Sequence, residues 1–257
     1  MVRRSSTNPI RLLRSPFVLP RTFFLLFFIW QGCSDTPSTP EEYLAHGDAL
    51  LANGQIADAV AAYHMARHQD TLNPQVYASL SRAYAAQHKN GAADRYLRRA
   101  MNIPYDRGLR ALEAGDDSLA IVAFEQTLEI FPRHPLALIK LGTIFQARQQ
   151  FEQAQLYLEQ AAAANPQYND TYIRLGQLYA MQNQPDNAKT AFNRAIELDI
   201  NAFRAYIGLG QLLMDERSWQ AAYEIFEKAL LIDPQSPTAH SGLAKAMSNI
   251  NAQSAQR

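Results

Sequence analysis

The sequence predicts an all-α protein, a solenoid of about six helix-turn-helix units closed by a C-terminal capping helix. The first observation is a 34-residue period, because Leu-Gly pairs begin at residues 141, 175 and 209. The second is that small and bulky residues recur in a fixed order after each pair, as in Ala154, Leu158 and Ala161. A period of this length is typical of repeats built from two antiparallel helices. Proteins of that kind present extended surfaces to other molecules.

Composition narrows the function classes. Hydrophobic residues make up 47% of the 257, enough for a continuous core. Residues 1–32 contain five arginines and no acid, so the remainder, with 19 basic and 24 acidic residues, has a net charge of −5. An acidic body argues against nucleic acid, whose binding needs a basic surface. The single cysteine, Cys33, excludes an internal disulfide framework.

The N-terminal segment, residues 1–32, is predicted to be an export signal. A basic stretch precedes an unbroken apolar run over residues 23–30. Eight residues reach only ~12 Å as a helix, far less than the ~30 Å hydrocarbon core of a bilayer. Arg21 and Pro20 prevent the run from extending backwards. A charged region followed by a short apolar region is typical of a secretion signal rather than a stable span.

Cys33 follows this segment and resembles the lipid-attachment site of bacterial lipoproteins. A small residue, Gly32, precedes the cysteine, as in that family, although Trp30 and Gln31 depart from the usual pattern. The resemblance implies that Cys33 carries acyl chains, followed by a short tether that ends at residue 39. By the same resemblance, Ser34 after the cysteine implies that the protein is sorted to the periplasmic face of the outer membrane. An uncleaved signal-anchor remains the alternative.

Units can be numbered so that the glycine of each Leu-Gly pair is the eighth residue. They then begin at residues 40, 74, 101, 135, 169 and 203, with a cap from 237 and a disordered tail over 251–257. Small residues recur at positions eight, twenty and twenty-seven, where two helix backbones can approach closely. Over residues 40–250 the chain resembles tetratricopeptide repeat proteins. The resemblance implies a right-handed superhelix.

The third unit is abnormal. The step from residue 74 to residue 101 is 27, seven residues short of the period. Seven residues are about two helical turns, so their loss leaves the apolar stripe of the helix on the same side. We expect a short first helix over about Tyr105 to Ala114, after Pro104, and an irregular superhelix. Neutral drift and a functional hinge or widened groove both remain open.

Residues suited to catalysis or metal binding are scattered. His64 and His68 lie four apart on one predicted helix face and could share a metal, but two ligands without a third leave a weak site. Asp116 and Asp117 are interpreted as a helix N-terminal pair. The sequence has no glycine-rich phosphate loop, and its one cysteine lies outside the repeats. We therefore predict no enzymatic activity, cofactor or bound metal, with a metal-dependent hydrolase using the two histidines as the remote alternative.

The concave face remains as the candidate site. In the family that the chain resembles, it is lined by positions two, five, nine, twelve and thirteen of each first helix. Carried over with two neighbouring basic residues, the predicted groove comprises Arg82, Ile139, Lys140, Thr143, Ile173, Arg174, Gln177, Ile207 and Gln211. The three isoleucines form a strip with a one-unit spacing that suits an extended or helical peptide. Alternatively, they support neighbouring helices from the inner side.

These features together predict a lipid-anchored, non-enzymatic adaptor of the bacterial cell envelope. Its expected partners are proteins or peptides, with the membrane contacted through the anchor and no nucleic acid or small-molecule substrate. The alternative is an accessory subunit of a secretion, pilus or outer-membrane assembly complex, held by an uncleaved signal-anchor.

Overall fold

The computed structural model describes residues 36–255, and this part of the chain is entirely α-helical outside its turns. The prediction of an all-α repeat solenoid is confirmed. The twelve helices of residues 36–255 are α1 Pro40–Ala52, α2 Ile56–Gln69, α3 Pro74–Ala86, α4 Asn90–Glu113, α5 Asp117–Ile130, α6 Pro135–Ala147, α7 Phe151–Ala164, α8 Asn169–Met181, α9 Pro185–Leu198, α10 Phe203–Asp215, α11 Trp219–Ile232 and α12 Pro237–Ala255.

The predicted export signal and the lipid-attachment site at Cys33 lie outside the described residues. Among the helices that are described, none combines the length and the apolarity needed to cross a membrane. The anchoring prediction therefore stays a prediction.

Successive helices pair as antiparallel hairpins that stack in chain order. The inner helices α6, α8 and α10 each contact the next inner helix, the last of which is α12, whereas the outer helices α5, α7, α9 and α11 pack mainly on inner helices. Because the inner helices are closer together than the outer ones, the stack curves towards them. The inner helices therefore line the concave side.

Local sequence explains where several helices begin. Thr39 accepts the backbone N–H of Glu42 at 3.2 Å, and the Glu42 carboxylate accepts the N–H of Thr39 in return, which forms a capping box before Pro40. Asp116 caps α5 by accepting the N–H of Leu119 at 2.9 Å. Asp117 follows in the first turn of that helix. The interpretation of these two aspartates as a helix N-terminal pair is confirmed.

His134 caps α6 in an unusual way, because its imidazole Nδ1 accepts the N–H of Ala137 at 3.1 Å. Only a neutral ring can accept at that nitrogen. Burial lowers the pKa of His134. The unfolded chain, with a histidine pKa of about 6.5, therefore binds this proton more readily than the folded chain. The contribution of the cap to stability is complete above that pH and is lost as the pH falls below it.

Replacing His134 by asparagine should weaken the acid sensitivity of the fold. Asn73 already caps α3 in the equivalent place by accepting the N–H of Gln75 at 3.0 Å, so the cap is kept without a titrating group. We expect the melting temperature of His134→Asn to fall less between pH 7.5 and pH 5 than that of the wild type, as measured by circular dichroism. His68→Asn, at an exposed position, is the control. Equal slopes for the wild type and His134→Asn would contradict this account.

Packing between units depends on aromatic rings that lie flat against glycines. The ring of Phe192 is 1% exposed and lies between Gly176 of α8 and Gly208 of α10. A Cβ added at Gly176 would lie 2.6 Å from that ring, and one at Gly208 would lie 2.4 Å from it. Both distances are shorter than any real carbon contact. The two inner helices can therefore approach the ring only because these positions have no side chain.

The expectation of a separate short helix after Pro104 is wrong. Helix α4 runs without a break from Asn90 to Glu113, with Pro104 inside it. Every other connection from an outer helix to the next inner helix has four residues, at 70–73, 131–134, 165–168, 199–202 and 233–236. The seven missing residues remove this connection together with three helical positions. Without the turn, the outer helix of the second unit continues directly into the inner helix of the third.

The continuous α4 makes the stack irregular, as predicted. Its first part packs on α3 and its second part on α5. The buried residues form separate clusters on the two sides, one around Tyr63 and Leu80 and the other around Phe124 and Leu141. A second correction concerns the C-terminus, because α12 extends to Ala255 and the predicted disordered tail is helical over residues 251–255.

Candidate functional site

Two adjoining cavities form a groove along the inner side of the C-terminal half. The first, of about 470 Å³, lies over α8 and α10 and is lined by Gln177, Met181, Ile207 and Gln211 among others. The second, of about 650 Å³, lies between α10 and α12. Three residues line both cavities: Gln211, Asp215 and Thr238. We call the two cavities together the inner groove.

A polar network fixes the relative positions of α6, α8 and α10 beside the inner groove. The carboxylate of Asp170 accepts hydrogen bonds from Arg174 at 2.8 Å and from Arg204 of the next unit at 3.2 Å. Arg174 also donates to the hydroxyl of Thr143 at 2.8 Å, which reaches the preceding unit. Asp170 and Arg174 are partly buried, and their ion pair is less screened than one on an open surface. These groups bridge three units in series.

Two of the three isoleucines of the strip are buried by neighbouring helices, which corrects their assignment to the groove. Ile139 is 4% exposed and packs with Leu138 and Ala161. Ile173 is 5% exposed and belongs to the core around Phe192. Only Ile207 is half-buried and lines the inner groove. Position five faces the adjoining helices because the units stack closely there, so two of these side chains have almost no area left for a ligand.

The remaining predicted residues divide between the groove and other places. Gln177 and Gln211 line the inner groove, and Thr143 and Arg174 belong to the network beside it. Lys140 is half-buried on α6. Arg82 lies on α3, before the continuous α4, where it pairs with Asp48 at 3.2 Å. The sequence therefore predicted one groove, whereas these residues occupy two separate parts of the inner surface.

Several groove residues were missed by the sequence analysis. They are Gln146, Met181, Phe203, Arg204, Asp215, Trp219, Thr238 and Lys245. Most of these occupy the same repeat positions that were used for the prediction, at two, nine, twelve and thirteen. Taking these positions in every inner helix, and in the capping helix as well, would have identified most of the missed residues. Trp219 has no such signal, because it begins an outer helix.

The two histidines weighed as metal ligands have different surroundings. His64 is half-buried, and its Nε2 lies 3.1 Å from the hydroxyl of Tyr84. His68 is exposed. Between residues 36 and 255 there is no group of three or more His, Cys, Asp or Glu side chains placed to hold a metal ion.

A curved stack of helical hairpins with an open inner groove defines a class of protein, the helical-repeat scaffolds that bind other proteins. The family model of the tetratricopeptide repeat matches residues 105–169, 139–202 and 173–239, which together cover more than half of the chain. The chain belongs to the tetratricopeptide repeat family. Members of this family generally act as non-enzymatic scaffolds that bind proteins or peptides.

The chain is also similar to solved structures. One of them is the APC/C hetero-tetramer Cut9-Hcn1, with 17% identity and a TM-score of 0.53. The match covers 87% of this chain but only 45% of the matched chain of that complex. The chain is likewise similar to MamA, with 21% identity and a TM-score of 0.48 over 74% of this chain and 95% of that one. The C-terminal part of a TPR repeat-containing protein from Cytophaga hutchinsonii is similar as well, with 18% identity and a TM-score of 0.48. This match covers 79% of this chain and 84% of that one. No curated protein matches the sequence.

Proposed function

We propose that the chain is a membrane-anchored, non-enzymatic adaptor of the bacterial cell envelope that binds a protein segment in its inner groove. The observation that supports binding is the groove itself, two adjoining cavities that run from α8 to α12. Their lining mixes amide, charged and apolar side chains, several of which, such as Met181, are exposed. Gln177 and Gln211, one unit apart, can each bond a peptide backbone, while Met181 and Ile207 offer apolar contact.

Anchoring is supported by the sequence before the repeats. A basic segment, a short apolar run and Cys33 follow one another in the order of a lipoprotein signal. Two or more acyl chains give stable attachment, because a single chain binds a bilayer only marginally. The tether between Cys33 and Pro40 would span at most ~20 Å at ~3.3 Å per residue, so the first unit would lie close to the membrane.

Intact-mass analysis of the protein purified from bacterial membranes tests the anchor. We expect a mature mass that begins at Cys33 and carries the added mass of two or three acyl chains. Cys33→Ala should abolish this processing and shift the protein to a mass that includes residues 1–32. A retained N-terminus in the wild type would support the alternative, an accessory subunit held by an uncleaved signal-anchor. The groove proposal predicts separately that substitution of Met181 and Gln211 abolishes partner capture.

A further inference from the structure

A cluster of tyrosines and cations lies on the outer side of the first two units, away from the inner groove. The rings of Tyr84 and Tyr96 are stacked, with centroids 5.3 Å apart and planes 6° from parallel. Tyr77 lies beside Tyr96, with ring centroids 6.3 Å apart. These three rings come from α3 and α4 and face α2. We call them, with the cations described next, the outer cluster.

Each tyrosine of the outer cluster has its own cation. Arg67 of α2 donates to the hydroxyl of Tyr96 at 3.1 Å. The ammonium of Lys89 lies 5.9 Å from the centre of the Tyr84 ring, and the guanidinium of Arg99 lies 5.9 Å from that of Tyr77. Cations at such distances are held over the ring faces by cation–π attraction. The rings therefore orient three positive groups on one surface.

No carboxylate of the described chain neutralises these cations. Six ion pairs are present within residues 36–255, and none includes Arg67, Lys89 or Arg99. Asp70, close in sequence to Arg67, instead accepts the backbone N–H of Leu72 at 2.9 Å. Burial, with the charge of Arg67 as a second cause, lowers the pKa of His64, which also contacts this cluster. The positive charge is thus uncompensated.

The repeats contain a partial second copy of this arrangement, which serves as an internal reference. Tyr77, Tyr84 and Arg99 have counterparts in it, whereas Ala162, Gln184 and Ala191 replace Arg67, Lys89 and Tyr96. Exactly the same repeat positions recur 95 residues later, where Tyr172 and Arg194 replace Tyr77 and Arg99. The guanidinium of Arg194 also lies 5.9 Å from the ring centre of Tyr172. In this copy, however, Arg194 pairs with Glu197 at 3.0 Å. The hydroxyl of Tyr179, the equivalent of Tyr84, donates to Glu159 at 3.1 Å.

Both acids of the reference copy are absent from the outer cluster. His64 replaces Glu159, and Asn102 replaces Glu197. The arginine over a tyrosine ring is therefore paired with an acid in the fifth unit and lacks that acid in the second. Because His64 already lies 3.1 Å from the hydroxyl of Tyr84, the position left without an acid is the one beside Arg99. This difference indicates the chemistry of a ligand that would complete the cluster.

We propose that the outer cluster binds an acidic segment of a partner protein, with a carboxylate of that segment paired to Arg99 as Glu197 pairs with Arg194 in the other copy. The planar guanidinium of Arg99 can bind a carboxylate through two parallel hydrogen bonds, and Lys89 adds a point charge. The site is separate from the inner groove and goes beyond the proposed function. A short peptide suits it better than a nucleic acid or an anionic membrane, because the surrounding chain, with a net charge of −5 beyond residue 32, repels an extended polyanion.

The test measures binding of a fluorescein-labelled peptide of five alternating Glu-Ala pairs to the full-length protein in a zwitterionic detergent at low salt. Fluorescence anisotropy should show saturable binding that weakens as salt rises, and at least tenfold weaker binding of the Gln-Ala analogue. The double variant Lys89→Gln/Arg99→Gln should lose at least tenfold in affinity. Both side chains are exposed, and an unchanged melting temperature verifies the fold. Asn102→Glu, which restores the missing internal acid, should cause a similar loss.

Arg194→Gln is the matched control, because it removes the equivalent arginine of the neutralised copy and should change the affinity less than twofold. Equal affinity for the Glu and Gln peptides would overturn the proposal, and so would an equal loss in Arg194→Gln. Tighter binding of single-stranded DNA or phosphatidylglycerol vesicles, lost in the same double variant, would also overturn it in favour of a different class of anion. These results do not depend on whether the inner groove binds a partner. Met181→Asp, a substitution in that groove, should leave binding of the Glu peptide to the outer cluster unchanged.

Discussion

Replacing Phe192 by alanine should lower the free energy of unfolding by about 3–5 kcal/mol, the usual cost of removing a fully buried aromatic ring. The ring lies between Gly176 and Gly208, which have no side chains that could fill the space. The cavity would therefore remain open. Urea unfolding followed by circular dichroism measures the effect. Leu231→Ala, at a position 84% exposed, is the control and should change stability by less than about 0.5 kcal/mol.

The contact between Phe192 and Gly176 also predicts that the stability effects of substitutions at these two positions are coupled. The second unit has Ser81 and Leu97 at the positions of Gly176 and Phe192, and the Ser81 hydroxyl donates to the carbonyl of Ala93 at 2.8 Å. In that unit the leucine leaves room for a side chain, whereas in the fourth unit Leu158 lies 2.6 Å from a Cβ added at Gly142, so the leucine must also be suitably oriented. Gly176→Ser alone should destabilise the fold by about 1–3 kcal/mol through overpacking. Combined with Phe192→Leu it should cost at least about 1 kcal/mol less than the two separate effects together. Additive costs would contradict this packing account.

The second large effect concerns the inner groove. Met181→Asp combined with Gln211→Ala should reduce partner capture at least tenfold while the fold is retained. Met181 is 53% exposed in the free protein, and binding would bury the new carboxylate in a cavity that Asp215 also lines. The cation that lines this cavity, Arg204, already pairs with Asp170. Gln211 lines both cavities, so its loss removes a hydrogen-bonding group from the middle of the groove. Affinity purification from membranes, quantified by mass spectrometry, measures the partners recovered with each variant.

Leu156→Asp is a closely matched control, because Leu156 is also 53% exposed but lies on the outer helix α7. It should recover the same partners as the wild type. If the groove variant also recovers them all, or if Leu156→Asp loses the same set, the inner groove is not the binding surface. Substitution of Ile173, which the sequence suggested as a groove residue, would not separate binding from folding, because that side chain is 5% exposed.

The sequence by itself determined the class of fold. The 34-residue recurrence of small and bulky residues reflects packing, because a small residue such as Gly176 opposes a bulky one such as Phe192 in each stacked hairpin. Such contacts are local, within one unit or between neighbours. Their order along the chain therefore reveals the architecture without knowledge of distant residues. The same regularity identified Gln177 and Gln211 as residues of the inner surface.

Only the tertiary structure decided where the regularity fails. The sequence showed that seven residues are missing before the third unit, but not whether the loss shortens a helix or removes a turn. The continuous α4 shows that the turn is lost. Ile139 and Ile173 likewise occupy positions that the repeat assigns to the groove, yet neighbouring helices bury them. Burial depends on which side chains several helices bring together, and no local pattern records that.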